Sequence, residues 1–137
     1  MLKESVHEAG KRRIILMDSI TKVTPEDAGC FVVAASHGGA SSGEFALEVP
    51  LALVVMNDAG IGKDEAGVAA LPMLEDHGVA GAMVSHNSGR IGDSRDMWEN
   101  GVISRVNPLA QAMGLAAGQR LRDVLPRILE QAATASA

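Results

Sequence analysis

Three apolar runs, each ending in a polar loop punctuated by glycines, constrain this chain more than any other feature. Leu51–Met56 leads into NDAGIGKDEAG, Phe31–Ser36 into HGGASSG, and Val79–Val84 into SHNSGRIGDS. Leu51–Met56 is apolar throughout, as a strand covered on both faces has to be, and the other two runs repeat the scheme. The segments between them are long enough for helical crossovers. Strand, loop and helix in repeated alternation predict an α/β fold with helices layered on both faces of a sheet.

The remaining signals extend that pattern along the chain. Ile14–Met17 reads as a short edge strand, and Thr24–Gly29 carries turn chemistry. A helix is expected over Gly43–Val49, stopped by Pro50. Another is expected over Asp64–His77, with Asp64 as N-cap, Pro72 as a kink and Gly78 as the stop. Asp93–Asn100 is a third, followed by a strand at Val102–Val106. Asn107 caps a helix that has Pro108 at its first position, and Gln119–Ala133 forms the last. At 137 residues the chain makes one domain, with 1–12 and 134–137 expected to be poorly ordered. The expected architecture is three-layered, with a mostly parallel sheet of roughly four or five strands, flavodoxin-like or Rossmann-like. Ligands of such folds bind at the rim formed by the loops that leave the strand C-termini.

Composition narrows the function. Two Phe, one Trp and no Tyr leave little for stacking on nucleic-acid bases, and a net charge of −5 opposes binding to a phosphate backbone. The single cysteine, Cys30, excludes an internal disulfide and a zinc-type cysteine cluster. Charges at Lys3, Glu4, Glu8 and Lys11–Arg13 interrupt the early residues, and no apolar run approaches a membrane span. A cytoplasmic protein with no membrane or nucleic-acid partner is expected. Small apolar residues on more than one helix face point to a homo-oligomer. A complete G-x-G-x-x-G fingerprint is absent, so no dinucleotide or other cofactor is expected.

The loop over 37–43 places His37, Gly38 and Gly39 before Ser41 and Ser42 at a helix start. Glycines allow close backbone approach, and amides at a helix start favour an anion. Alternatively, Ser41 or Ser42 simply caps the helix. Gly39–Gly43 spells G-x-S-x-G between a strand and a helix, which looks like the nucleophile elbow of serine hydrolases. That resemblance implies Ser41 as nucleophile, with His86 as base and Asp58 as its orienter. Two residues, His37 and Gly38, separate the strand from the elbow, and the chain is far shorter than an α/β-hydrolase. GGASSG, over Gly38–Gly43 alone, also resembles the GGSSGG stretch of the much larger amidase-signature enzymes.

The loop over 57–64 resembles a phosphate loop at Gly62–Lys63, but Asn57 and Asp64 break the Walker pattern at both ends. Lys63 remains a candidate for a smaller anion. Asn57 and Asp58, at the end of a buried strand, must find partners in a ligand or a loop. SHNSGRIGDSRD, residues 85–96, is the densest polar cluster, with the loop over 85–94 on the rim. His86 is a candidate acid or base, and Arg90 can hold a carboxylate or phosphate bidentately. Asn87, Asp93 and Ser94 are candidate ligand contacts, although Asp93 also suits a helix cap. His37, Asp58, His86 and Asp93 form no paired metal-ligand motif, and no metal is expected.

These residues predict a small soluble enzyme acting on an anionic small molecule, with hydrolysis first among several acid–base reactions. The alternative is a non-catalytic metabolite-binding or subunit protein using the same rim.

Overall fold

The computed structural model describes residues 2–136, and side chains as far as residue 132. Six strands form one sheet: β1 (Lys3–Ala9), β2 (Arg12–Met17), β3 (Phe31–His37), β4 (Leu53–Asn57), β5 (Ala80–Val84) and β6 (Ile103–Val106). They lie in chain order across the sheet. β2 to β5 are parallel, whereas β1 and β6 flank them as antiparallel edges. The sheet is therefore mixed and six-stranded, not the smaller, mostly parallel one expected.

The extra strand comes from residues expected to be a loose lead-in. Gly10 takes φ 64°, which closes a tight hairpin between β1 and β2. The charges that made Lys3–Ala9 look unstructured instead protect an edge. Lys3 pairs with the buried Asp27 at 3.0 Å, and Glu4 pairs with Arg95. At the other end of the chain, residues 134–136 continue the last helix. Met1 and Ala137 lie outside the described residues.

Alternation along each strand divides the core into two layers. Ile15, Val32, Val54, Met56 and Met83 pack toward α1 (Ala40–Ala46) and α2 (Ala70–Asp76). Leu16, Phe31, Val33, Val55 and Val84 pack toward α3 (Ser94–Asn100) and α5 (Leu121–Ser136), with α4 (Pro108–Ala112) beside them. Burying each such side chain stabilises the fold by about 1.5–3 kcal/mol before entropy is counted.

This layering positions the loops at the strand C-termini. The loops after β3 and β4 lead to α1 and α2 on one face, whereas the loop after β5 leads to α3 on the other. Flavodoxin-like and Rossmann-like sheets open their crevice where the strand order reverses. Here the order never reverses. The change of face between β4 and β5 parts two neighbouring loops instead.

The helix expected over Asp64–His77 is divided. A 3₁₀ segment occupies Lys63–Val68, and α2 starts afresh at Ala70. Asp64 is not a cap, since Gly62 holds that position and Asp64 itself has φ 56°. Pro72 sits in the first turn of α2, where its missing N–H would have no intrahelical partner. Gly67 explains the break. A Cβ there would collide with the Asp58 carbonyl oxygen and lie 2.9 Å from that of Ile61. Gly67→Ala should therefore destabilise the fold by about 2 kcal/mol or more, because backbone must shift to admit the methyl. Urea unfolding measures this, and an unchanged midpoint would contradict the close packing of 58–67.

Candidate functional site

β4 is covered on both faces and ends at Asn57, so polar side chains there have no solvent to meet. The loops supply their partners. Asn57 donates through Nδ2 to the Gly89 carbonyl at 2.8 Å, and its Oδ1 accepts from the Ala59 N–H at 2.8 Å. Asp58 is 4% exposed. Its Oδ1 accepts from the N–H groups of Gly60 at 2.8 Å and His86 at 3.1 Å. Its Oδ2 accepts from the Ser104 hydroxyl at 2.7 Å. These bonds fasten the loop after β4 to the loop after β5 where the two part.

The His86 ring lies over this junction. Its Nδ1 is 3.4 Å from Asp58 Oδ1, and its side chain is 45% exposed. Burial pushes the Asp58 carboxyl up, but the Ser104 hydroxyl, the Gly60 and His86 amides and the His86 charge together hold it below its ordinary value. An ionised carboxylate therefore stands behind an accessible imidazole. That is the arrangement by which a histidine is oriented as an acid or base.

The loop that presents Asp58 is strained. Ala59 and Ile61 have φ of 52° and 68°, and Asp64 and Glu65 have φ of 56° and 57°. L-residues rarely adopt this region, least of all a β-branched one, at a cost of about 1–3 kcal/mol each. Tight bonds hold the loop there. The Ile61 N–H donates to the Asp58 carbonyl at 2.6 Å, and the Gly67 N–H donates to that of Ile61 at 2.7 Å. Arg105 pairs with Glu65 at 3.0 Å.

Two of the cavities along the strand C-termini are separate from each other. One, of about 450 Å³, is lined by His86, Asn87, Ser88, Gly89, Arg90, Ile91 and Asp96. The exposed Arg90 guanidinium has no hydrogen-bond partner among the described residues, although the Asp96 charge is near. Asp96 accepts from Asn100 Nδ2 at 2.8 Å and from the Arg90 N–H at 2.9 Å. Those two bonds, the Asn100 amide first, hold its carboxyl low. The other cavity, of about 400 Å³, is lined by His37, Gly39 and Ala40 on one side and by Ala59, Ile61, Gly62, Ala66 and Gly67 on the other. The three loops are neighbours, because β3, β4 and β5 are adjacent, yet they do not close on one pocket.

Several candidates are engaged inside the protein instead of facing a ligand. Ser94 is fully buried, and its N–H and hydroxyl both donate to Asp18 Oδ1, at 3.0 and 2.8 Å. Asp93 caps α3 by accepting from the Asp96 N–H at 3.0 Å. The Gly38 N–H donates to the Asn57 carbonyl at 2.8 Å, which takes it away from any anion. Asn57 is fully engaged, as described above. Ser41 and Ser42 lie within α1, whose cap is Gly39, so neither caps that helix. Ser41 is exposed and makes no hydrogen bond to His86, so the structure forms the His86–Asp58 pair without the expected nucleophile. Lys63 is exposed and lines neither cavity.

Ser104 lines Asp58 and was not expected in the site; Asp96, six residues beyond Arg90, closes the 85–96 polar cluster but was not singled out as a contact. The Ser104 contact depends on an irregularity of the sheet that has no sequence signature.

Among the described residues no group of three His, Cys, Asp or Glu side chains is placed to hold a metal, and no helix is long and apolar enough to cross a membrane. Compared with models of known protein families, with curated proteins and with solved structures, the chain matches none.

The state of Asp58 is open to test. With a carboxyl held below its ordinary value of 3.8, its contribution to stability is complete above that pH and is lost as pH falls through the lower folded value. Asp58→Asn should be less stable than the wild type at neutral pH, and the gap should narrow as the pH falls below 3.8. Urea midpoints measured against pH read this directly. A gap independent of pH would contradict an ionised Asp58.

Proposed function

We propose that this protein is a small-molecule enzyme in which His86 transfers a proton to or from a substrate whose carboxylate or phosphate is held by Arg90. One observation carries the reading: a buried, ionised Asp58 lies 3.4 Å behind an exposed imidazole that shares a cavity with the exposed Arg90 guanidinium, whose near charge is Asp96. With Nδ1 facing the carboxylate, Nε2 is the atom available for proton transfer. Asp58 stays ionised and stabilises the imidazolium that forms. Arg90 offers a planar fork to an anion, and the Asn87 side chain is exposed beside it.

Hydrolysis, isomerisation and elimination all suit one acid–base histidine. In a hydrolysis the nucleophile is a water that gives its proton to Nε2, because Ser41 is not joined to the pair. His86 then returns that proton to the leaving group. The same reading includes self-association, supported by two large apolar side chains left exposed, Phe45 at 37% and Ile91 at 48%.

A second reading, a non-catalytic metabolite-binding or subunit protein, is favoured by one fact. The hydrogen bonds of Asp58 are complete without any ligand, so the carboxylate serves equally as a staple between two loops.

Thermal unfolding in the presence of inorganic phosphate and of small mono- and dicarboxylates separates these readings. At about a hundred times Kd a bound anion stabilises by ~2.7 kcal/mol, a rise on the order of 5–10 °C in Tm. The rise should vanish in Arg90→Ala. It should persist in His86→Gln, which loses turnover of the same ligand. Stabilisation that survives Arg90→Ala would remove Arg90 as the anion holder. Turnover that survives His86→Gln would point to another catalytic group, and binding without turnover in the wild type would favour the binding protein.

A further inference from the structure

β6 pairs with β5 out of step at one point. Met83 lies opposite Arg105, and the next residue, Val84, lies opposite Ile103. Ser104 is thus the extra residue of a β-bulge. Bulges turn a side chain away from the regular alternation, and they recur beside functional sites for that reason. Here the bulge aims the Ser104 hydroxyl past the Met83 carbonyl, 3.4 Å away, onto Asp58 Oδ2 at 2.7 Å. The hydroxyl is the only group on Oδ2 among the described residues. The other donors to this carboxylate, the Gly60 and His86 amides, hold Oδ1.

Rotation about the Asp58 Cβ–Cγ bond displaces both oxygens, so the Ser104 bond to Oδ2 adds to the restraint that the two amides place on Oδ1. The position of the Asp58 carboxylate sets how its charge lies against His86 Nδ1, 3.4 Å from Oδ1. That in turn decides which ring nitrogen carries the proton of the neutral imidazole.

We propose that Ser104 is a positioning residue for His86: by fixing the Asp58 carboxylate from β6, it keeps the neutral imidazole in its Nδ1–H form, with Nε2 bare to accept a proton. The proposal rests on the reading of His86 as the acid–base group. Ser104 itself touches no reacting atom and acts through Asp58. Free imidazole side chains prefer the opposite, Nε2–H form, so loss of the restraint has a direction.

The test needs no substrate. Long-range ¹H–¹⁵N correlation spectra of the folded protein, recorded at a pH where the imidazoles are neutral, report the tautomer of each ring. His86→Gln identifies the His86 signals among those of His7, His37 and His77. In the wild type His86 should be mainly Nδ1–H. Ser104→Ala should shift the tautomer ratio about tenfold toward Nε2–H, as expected for losing one hydrogen bond to a charged group. Ser104→Thr, which keeps the hydroxyl, should restore it. Backbone amide spectra establish that each variant is folded. Should Ser104→Ala fail to fold, Ser104→Cys carries the same expectation with a weak donor in place of a good one. An unchanged ratio in a folded Ala or Cys variant would overturn the role of Ser104 and leave the Asp58–His86 pair standing. A wild-type His86 that is mainly Nε2–H would overturn both.

Discussion

The buried carboxylate of Asp58 is the interaction on which the rest of the rim depends. It accepts from Gly60 in its own loop, from the His86 amide after β5 and from Ser104 on β6. An ionised group 4% exposed is costly unless its lone pairs are filled. Three donors from three separate segments fill them. The charge therefore fixes the distance between segments that are remote in sequence, and the His86 ring is placed as a consequence. Asn57 repeats the device one residue earlier, joining Gly89 to Ala59. Together the two side chains hold the start of the strained loop, through the Ala59 and Gly60 amides.

The fold makes this concentration of polar groups necessary. β4 and β5 are neighbours and parallel, but their chains leave toward opposite faces of the sheet. Two loops that diverge from adjacent strand ends expose backbone amides and carbonyls that no ladder can satisfy. Asn57 and Asp58 satisfy them. The same divergence opens the surface beside His86 and Arg90. The loops after β3 and β4 leave toward the same face. The β3 loop stays close to the β4 loop through Gly38, which donates to the Asn57 carbonyl and accepts from the Ala70 N–H. This closeness explains why the GGASSG stretch forms a packed turn and helix and not an exposed elbow.

Much of this was legible in the residue order, because it is local. Buried parallel strands show as unbroken apolar runs, and β3, β4 and β5 fall where Phe31, Leu51 and Val79 announce them. Asn107 and Pro108 spell a helix start, and the Asn107 side chain accepts from the Ala110 N–H at 3.0 Å. His86, Asp58 and Arg90 stand out as polar residues at strand ends. What could not be read depends on pairings between distant segments. β1 looks disordered until β2 lies beside it. Ser94 looks like a rim hydroxyl until Asp18, from the end of β2, takes both its donors. Ser104 reads as an ordinary strand residue, since a bulge is a property of two strands and not of one. The glycine at 67 looks like a weak point in a helix, whereas it is where two backbones touch.

The central claim is that the His86–Arg90 side of the parted loops is where a small anion binds. Amide chemical-shift mapping during titration with inorganic phosphate and small carboxylates tests it most directly. The account predicts saturable shifts concentrated at residues 86–91 and transmitted through the Asp58 bonds to Gly60, with the His37 side little changed. Saturable shifts centred on His37, Gly39 and Gly62 instead, or none with any of these anions, would contradict it.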